Sequence, residues 1–279
     1  MLAKRHFSLL ASILLGGILL PPSASADVIV ICPDAFKDAI GQWIEYRTGQ
    51  GHRVVPMASD RSATKLQKNI RNYAANHSVV AVVLIGDTGP GNKGRISTDA
   101  YTRRYVPTHY RKATVIAPYA GDQQIATDNP FVDLDGDDIA EIPVGRLAVD
   151  QPEDLTQFIQ RIITYESASD FSDWRRKINL VAGVGGFGPL IDSMIEGTTR
   201  TFLISKIPSA YQTSMTQANW KSPYCPPPET FRDTVLNRLN EGCLFWIYLG
   251  HGQIDSLDKI RVPNGQFSIL KREDTERLD

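Results

Sequence analysis

Seven consecutive apolar residues, Val79-Val80-Ala81-Val82-Val83-Leu84-Ile85, run without a break into Gly86-Asp87. A strand with one wet face alternates apolar and polar residues. This run does not, so it predicts a strand covered on both faces, the signature of a parallel sheet flanked by helices. The segments before it agree. Val28-Ile29-Val30-Ile31-Cys32 is a second buried run, and Arg53 to Met57 a short strand. Between them, Phe36, Ile40, Trp43 and Ile44 recur at helical spacing over residues 36–47, and Leu66, Ile70 and Tyr73 do so over 62–76. Strand, helix, strand, helix, strand predicts right-handed crossovers and a doubly wound α/β layer.

Residues 88–130 are rich in Gly, Thr and Tyr and predict long loops with a short strand or two near Val115-Ile116-Ala117. Ile139 to Leu147 is expected to carry a strand ending in Gly145-Arg146. A third helix is expected over Pro152 to Glu166, lined by Leu155, Phe158, Ile159, Ile162 and Ile163. The polar stretch Ser167 to Asp173 reads as a link to a second α/β unit. That unit should hold a strand at Lys177 to Ala182, a glycine-rich turn at 183–188 and a helix over about 189–203. A helix at Phe231 to Asn240 and a strand at Cys243 to Leu249 follow, with a polar, turn-like remainder. The glycine turn is not a clean dinucleotide-binding fingerprint and is expected to pack helix on sheet.

The first residues read as a targeting segment. Lys4, Arg5 and His6 precede an apolar run from Phe7 to Leu20, then Pro21-Pro22, then Ala24-Ser25-Ala26. This is the pattern of a secretory signal peptide cleaved after Ala26. The expected organisation is therefore a signal peptide over 1–26, a first subdomain over 27–173 and a second, catalytic subdomain over 174–279. The mature protein is expected to be secreted, periplasmic or at the cell surface, with no membrane association after cleavage. A net charge of −1 and no long basic stretch argue against nucleic acid as a partner. Three cysteines, Cys32, Cys225 and Cys243, are too few for a disulfide scaffold and have no zinc-site spacing.

Two stretches carry chemistry. In Tyr248-Leu249-Gly250-His251-Gly252 a histidine stands just past the carboxyl end of a buried strand. In open α/β sheets that edge is where ligands bind. The imidazole can take a proton from a thiol or hydroxyl, and backbone donors at Gly252 and beyond can bind a developing oxyanion. The second stretch is Asp133-Leu134-Asp135-Gly136-Asp137-Asp138-Ile139-Ala140-Glu141. Alternate carboxylates about a glycine, Asp133, Asp135, Asp137 and Glu141, aim oxygens at one point, as calcium requires, although the twelve-residue register of an EF-hand is incomplete. The alternative is a solvated acidic turn. Asp128 and Asp87 are candidates to orient the imidazole or to line a pocket for a basic side chain. His52, His77 and His109 are expected at the surface.

The turn Gly250-His251-Gly252 resembles the histidine turn of caspase-like cysteine peptidases. Further segments are similar, in order, to landmarks of the gingipain family. These are Trp43 to Val54, Val82 to Asp87, Thr127-Asp128-Asn129-Pro130-Phe131, Val144-Gly145-Arg146-Leu147 and Ile163-Thr164-Tyr165-Glu166. The resemblance covers about residues 28–258. It implies a caspase-like three-layer α/β sandwich with a mostly parallel sheet and two α/β subdomains. It also implies hydrolysis of protein or peptide substrates by a Cys-His pair, with His251 as base. A calcium-binding habit of the family supports structural calcium at the acidic loop, and Asp128 falls on a family landmark. The same resemblance places the nucleophilic cysteine at the end of the strand after the histidine. No cysteine follows His251; Cys243 lies eight residues before it, about 26 Å along an extended strand. The nucleophile is therefore expected beyond Asp279, and the chain as given is expected not to hydrolyse peptides. The alternative is a non-catalytic peptidase-like module for binding or secretion.

Overall fold

The computed structural model describes residues 26–89, 97–113, 123–170, 172–183, 197, 201, 206–253 and 255–278. The signal-peptide reading, the strand near Val115 and most of the glycine turn and helix expected over 183–203 lie outside the described residues. The chain divides into two compact units between Ala168 and Ser169. Among the described residues no helix is long and apolar enough to cross a membrane.

Unit 1 contains β1 (Asp27–Ile31), α1 (Gly41–Gly49), β2 (Arg53–Met57), α2 (Ala63–Ala74) and β3 (Val79–Ile85). After these come α3 (Thr98–Thr102), β4 (His109–Lys112), β5 (Gln124–Thr127), β6 (Val144–Leu147) and α4 (Pro152–Ser167). Its main sheet has the order β2-β1-β3-β6 and is parallel throughout. The period-2 geometry of β1 divides the core. Val28, Val30 and Cys32 pack with Trp43 of α1 and Leu155 and Ile159 of α4, while Ile29 and Ile31 pack with Leu66 and Ile70 of α2. Helices thus cover both faces of one sheet, the three-layer arrangement that unalternating strands demand. Ser62 caps α2 by accepting from Lys65 N at 3.2 Å, and Pro152 opens α4.

Several local expectations need correction. Helix α1 starts at Gly41, and Phe36 belongs to a preceding 3₁₀ turn. Residues 97–127 hold α3 and an antiparallel hairpin, β4 with β5. Strand β6 is confined to Val144–Leu147 because the acidic loop occupies the residues before it. Phe158 does not line the α4 core face; it is 47% exposed. His109 is half-buried, edge-on to Phe131 with ring centroids 4.9 Å apart, rather than a surface residue.

Unit 2 contains β7 (Lys177–Ala182), β8 (Gln212–Gln217), α5 (Phe231–Asn240), β9 (Phe245–Leu249), β10 (Lys259–Val262) and β11 (Gly265–Ser268). Strands β8-β7-β9 form a parallel sheet, and β10-β11 an antiparallel hairpin. Val181 of β7, Trp246 and Tyr248 of β9, Phe231 and Val235 of α5, and Ile260 and Ile269 of the hairpin region share one core cluster. Strand β8 and the hairpin are additions to the sequence expectation. Gln212-Thr213-Ser214-Met215-Thr216-Gln217 is too polar to read as a buried strand, yet Thr216 and Gln217 are buried. Arg238 donates to Thr216, Ser222 Oγ donates to Gln217 Oε1 at 3.0 Å, and Ser214 Oγ donates to Asn179 Oδ1 at 2.6 Å.

Candidate active site

The order β8-β7-β9 means that the chain leaves β7 toward one side for β8 and returns across it to β9. The carboxyl ends of β7 and β9 therefore flank a topological switch point, where open α/β sheets bind ligands. Gly183 follows β7, and Gly250, His251 and Gly252 follow β9. Gly183 N donates to Leu249 O at 2.7 Å, which holds the two strand ends together. The His251 side chain is 60% exposed at this edge.

What holds the histidine was not foreseen from sequence. The chain turns back through a bridge between Gly252 and Leu257, closed by Gln253 N donating to Ser256 O at 2.8 Å. This returns Asp258 to the histidine, seven residues along the chain. Asp258 Oδ2 accepts from His251 N at 3.0 Å and lies 3.6 Å from His251 Nδ1. The Tyr248 hydroxyl lies 3.0 Å from the same oxygen and 3.1 Å from His251 O, and it accepts from Asp258 N at 3.3 Å. Burial pushes the Tyr248 phenol well above its ordinary pKa, so it remains a donor.

The glycines are explained by this packing. A Cβ on Gly183 would stand 2.5 Å from Asp258 Oδ2 and 2.6 Å from Tyr248 Oη. A Cβ on Gly250 would stand 2.6 Å from Tyr248 Cζ and closer still to its hydroxyl. Beside Gly252, by contrast, a Cβ would meet nothing within 4 Å, so open space faces the backbone that follows the histidine.

The other candidate carboxylates have partners within unit 1. Asp128 is in unit 1, where its two oxygens accept from Arg146 Nη2 and Nε, each at 2.8 Å, and Oδ1 also accepts from Thr108 Oγ1 at 2.8 Å. Arg146 donates further to Gly86 O, Val106 O and Pro107 O. Asp128 thus completes a cross-link between the ends of β3 and β6 and the loops beyond them. Asp87 is exposed and accepts from Thr88 N at 2.6 Å. None of the three cysteines is prepared as a nucleophile: burial raises the thiol pKa of each, that of Cys32 to about 11.

In the acidic loop, Asp133, Asp135, Asp137 and Glu141 each bring one oxygen within 4.8 Å of the others. Oxygens on opposite sides of one calcium ion stand about 5 Å apart, so the set fits that ion. The loop is pre-shaped. Gly136 takes φ +94° and Asp138 φ +73°, while Asp133 accepts from Gly136 N at 2.7 Å. Arg71 is a competing cation, with Nη2 3.4 Å from Asp133 Oδ2.

A solved protease structure is similar in fold, with a TM-score of 0.59 at 19% identity over 93% of this chain. The match covers 50% of that protease, so this chain spans about half its length. No curated protein matches the chain. The model of peptidase family C25 matches residues 21–279, and the chain belongs to that family, the gingipain family.

Proposed function

We propose that this chain supplies the histidine side of a cysteine endopeptidase, with His251 as general base and protein or peptide chains as substrates. The observation that carries the reading is an exposed imidazole fixed at the switch point of a parallel sheet. It accepts the proton of a thiol, generating the attacking thiolate, and returns it to the leaving amine. Gly252 borders open space, where its N–H can meet a developing oxyanion. The nucleophile is a cysteine outside this sequence, on a strand added beside β9. Strand β9 is an edge among the described residues, and Phe245 and Leu249 on it are 55% and 42% exposed. Such apolar exposure on an edge strand suits pairing with a further strand. The test is hydrolysis of denatured protein by the longest natural form of the protein, with His251→Ala alongside. Loss of at least about a thousandfold in kcat/KM supports the base; retained activity overturns it, and no hydrolysis by either form favours a binding module.

We infer also that the loop 133–141 takes calcium as a structural ion through Asp133, Asp135, Asp137 and Glu141. Bound calcium would neutralise four clustered carboxylates and tie β6 to the segment before it. Titration with calcium should raise the melting temperature of the chain, and Asp135→Asn with Asp137→Asn should abolish that increase. An equal shift in the double variant removes the site.

Residues 1–26 act, on this reading, as an export signal. Cleavage after Ala26 would leave Asp27 as the first residue, its amine donating to Ser78 O as its amide does at 2.8 Å. Mass spectrometry of the exported protein should find a mature N-terminus at Asp27; an intact Met1 terminus on exported material would refute cleavage.

A further inference from the structure

We propose that Asp258 and Tyr248 are positioning residues that lock the His251 imidazole with Nδ1 toward the Asp258 carboxylate and leave Nε2 as the basic nitrogen. The proposal rests on the assignment of His251 as base and extends it to the tautomer. Asp258 is 9% exposed and its Oδ2 receives two donors already, His251 N and Tyr248 Oη, each at 3.0 Å. Nδ1 at 3.6 Å is just outside hydrogen-bond distance from the same oxygen. A small rotation about the His251 side chain would close it, and the Nδ1–H tautomer would then donate to the Asp258 carboxylate. A hydrogen bond to a charged acceptor is stronger than one to a neutral acceptor.

Two features make this a built arrangement. Tyr248 has one hydroxyl proton and two acceptors in reach, Asp258 Oδ2 and His251 O at 3.1 Å. Its proton goes to one of them while its oxygen accepts from Asp258 N at 3.3 Å, which ties the acid to the turn that carries the histidine. Gly183 and Gly250 clear the volume that this pair fills, from two different strand ends. Any side chain at either position would displace the phenol or the carboxylate. When the imidazole becomes cationic in catalysis, the Asp258 carboxylate faces it and stabilises the charge.

The experiment is nitrogen NMR of the His251 ring in the 279-residue chain, comparing wild type, Asp258→Asn and Tyr248→Phe. In the wild type the Nδ1–H tautomer should dominate the neutral ring, against the preference of free imidazole. In Asp258→Asn, which keeps the shape and loses the charge, the tautomer ratio should fall about fivefold. Tyr248→Phe, which keeps the carboxylate and frees the loop, should lower the ratio less. It serves as the deciding variant if Asp258→Asn does not fold. A free-imidazole ratio in the wild type, or a ratio unchanged by the variants, overturns the proposal. The readout does not depend on peptide hydrolysis. A clear tautomer change here, with no hydrolysis by the longest natural form, keeps the seat and removes the peptidase; hydrolysis by that form without any tautomer preference here does the reverse.

Discussion

His251 is held by backbone as firmly as by side chain. Its N–H binds Asp258, its carbonyl meets Tyr248, and Gly250 before it is the residue that lets the phenol lie across the turn. Gly250→Ala should therefore destabilise unit 2 by about 1–3 kcal/mol, the usual cost of forcing a methyl group into filled space. Denaturant unfolding would measure it, and a stability equal to wild type would show that the turn can open freely. A comparable argument applies to Arg146, whose guanidinium makes bonds to Asp128 and three carbonyls. Arg146→Met leaves Asp128 and those carbonyls without their donor and should cost about 3 kcal/mol. Asp128 stood out in sequence only because it matched a family landmark. Its partner could be named only once β6 and the segment before β4 were seen to meet.

Among the elements, the hairpin β10-β11 does more than close the chain. Asp258 directly precedes β10, Ile260 is fully buried against the α5 cluster, and Ile269 N donates to Asp258 O at 2.9 Å. Packing of Ile260 therefore sets where Asp258 stands. Ile260→Ala should lower stability by about 2–5 kcal/mol and broaden the His251 signals as the hairpin loosens. Thermal unfolding with the ring resonances followed in parallel checks both; sharp, unshifted signals would mean that the turn stands by itself. The landmark segments of unit 1 gain a physical meaning at this scale. Arg47 at the end of α1 meets Glu166 at the end of α4 through two bonds of 2.7 Å, and Asp128 meets Arg146. Both pairs fasten elements far apart in the chain, so their order in sequence reports the order of the scaffold.

At the scale of the whole molecule, each unit has a buried carboxylate anchored by arginine. Hydrogen bonds from Arg53, with Tyr73 assisting, hold Asp27 below its ordinary pKa against the opposing effect of burial. In unit 2 burial alone would raise Asp274, but Arg232 and Lys271 N bring it below its ordinary value. A folded pKa below the unfolded one means that the ionised form stabilises the fold. That contribution is complete above an unfolded value of about 4 and is lost as pH falls through the folded value. Urea midpoints should therefore drop as pH is lowered from about 5 toward 3, and Asp27→Asn should reduce that slope while lowering stability at pH 6. An unchanged slope would assign the acid sensitivity to other groups.

Much of this was open to a reader of the chain. Apolar runs at Val28–Cys32 and Val79–Ile85 demand cover on both faces, and helical spacing at Leu66 and Ile70 or Leu155 and Ile159 supplies it. These are local, periodic consequences of strand and helix geometry, so sequence alone determined the parallel α/β layers and put a histidine at a strand's end. Strand β8 escaped because its residues are polar, and the partners of Ser214 and Thr216, Asn179 and Arg238, lie far away in sequence. The partner of His251 escaped for the same kind of reason. Asp258 differs from Asp255, Asp87 or Asp128 only in where a turn, a buried isoleucine and two glycines deliver it. Distances between side chains on different elements depend on packing in three dimensions, and that was for the tertiary structure to decide.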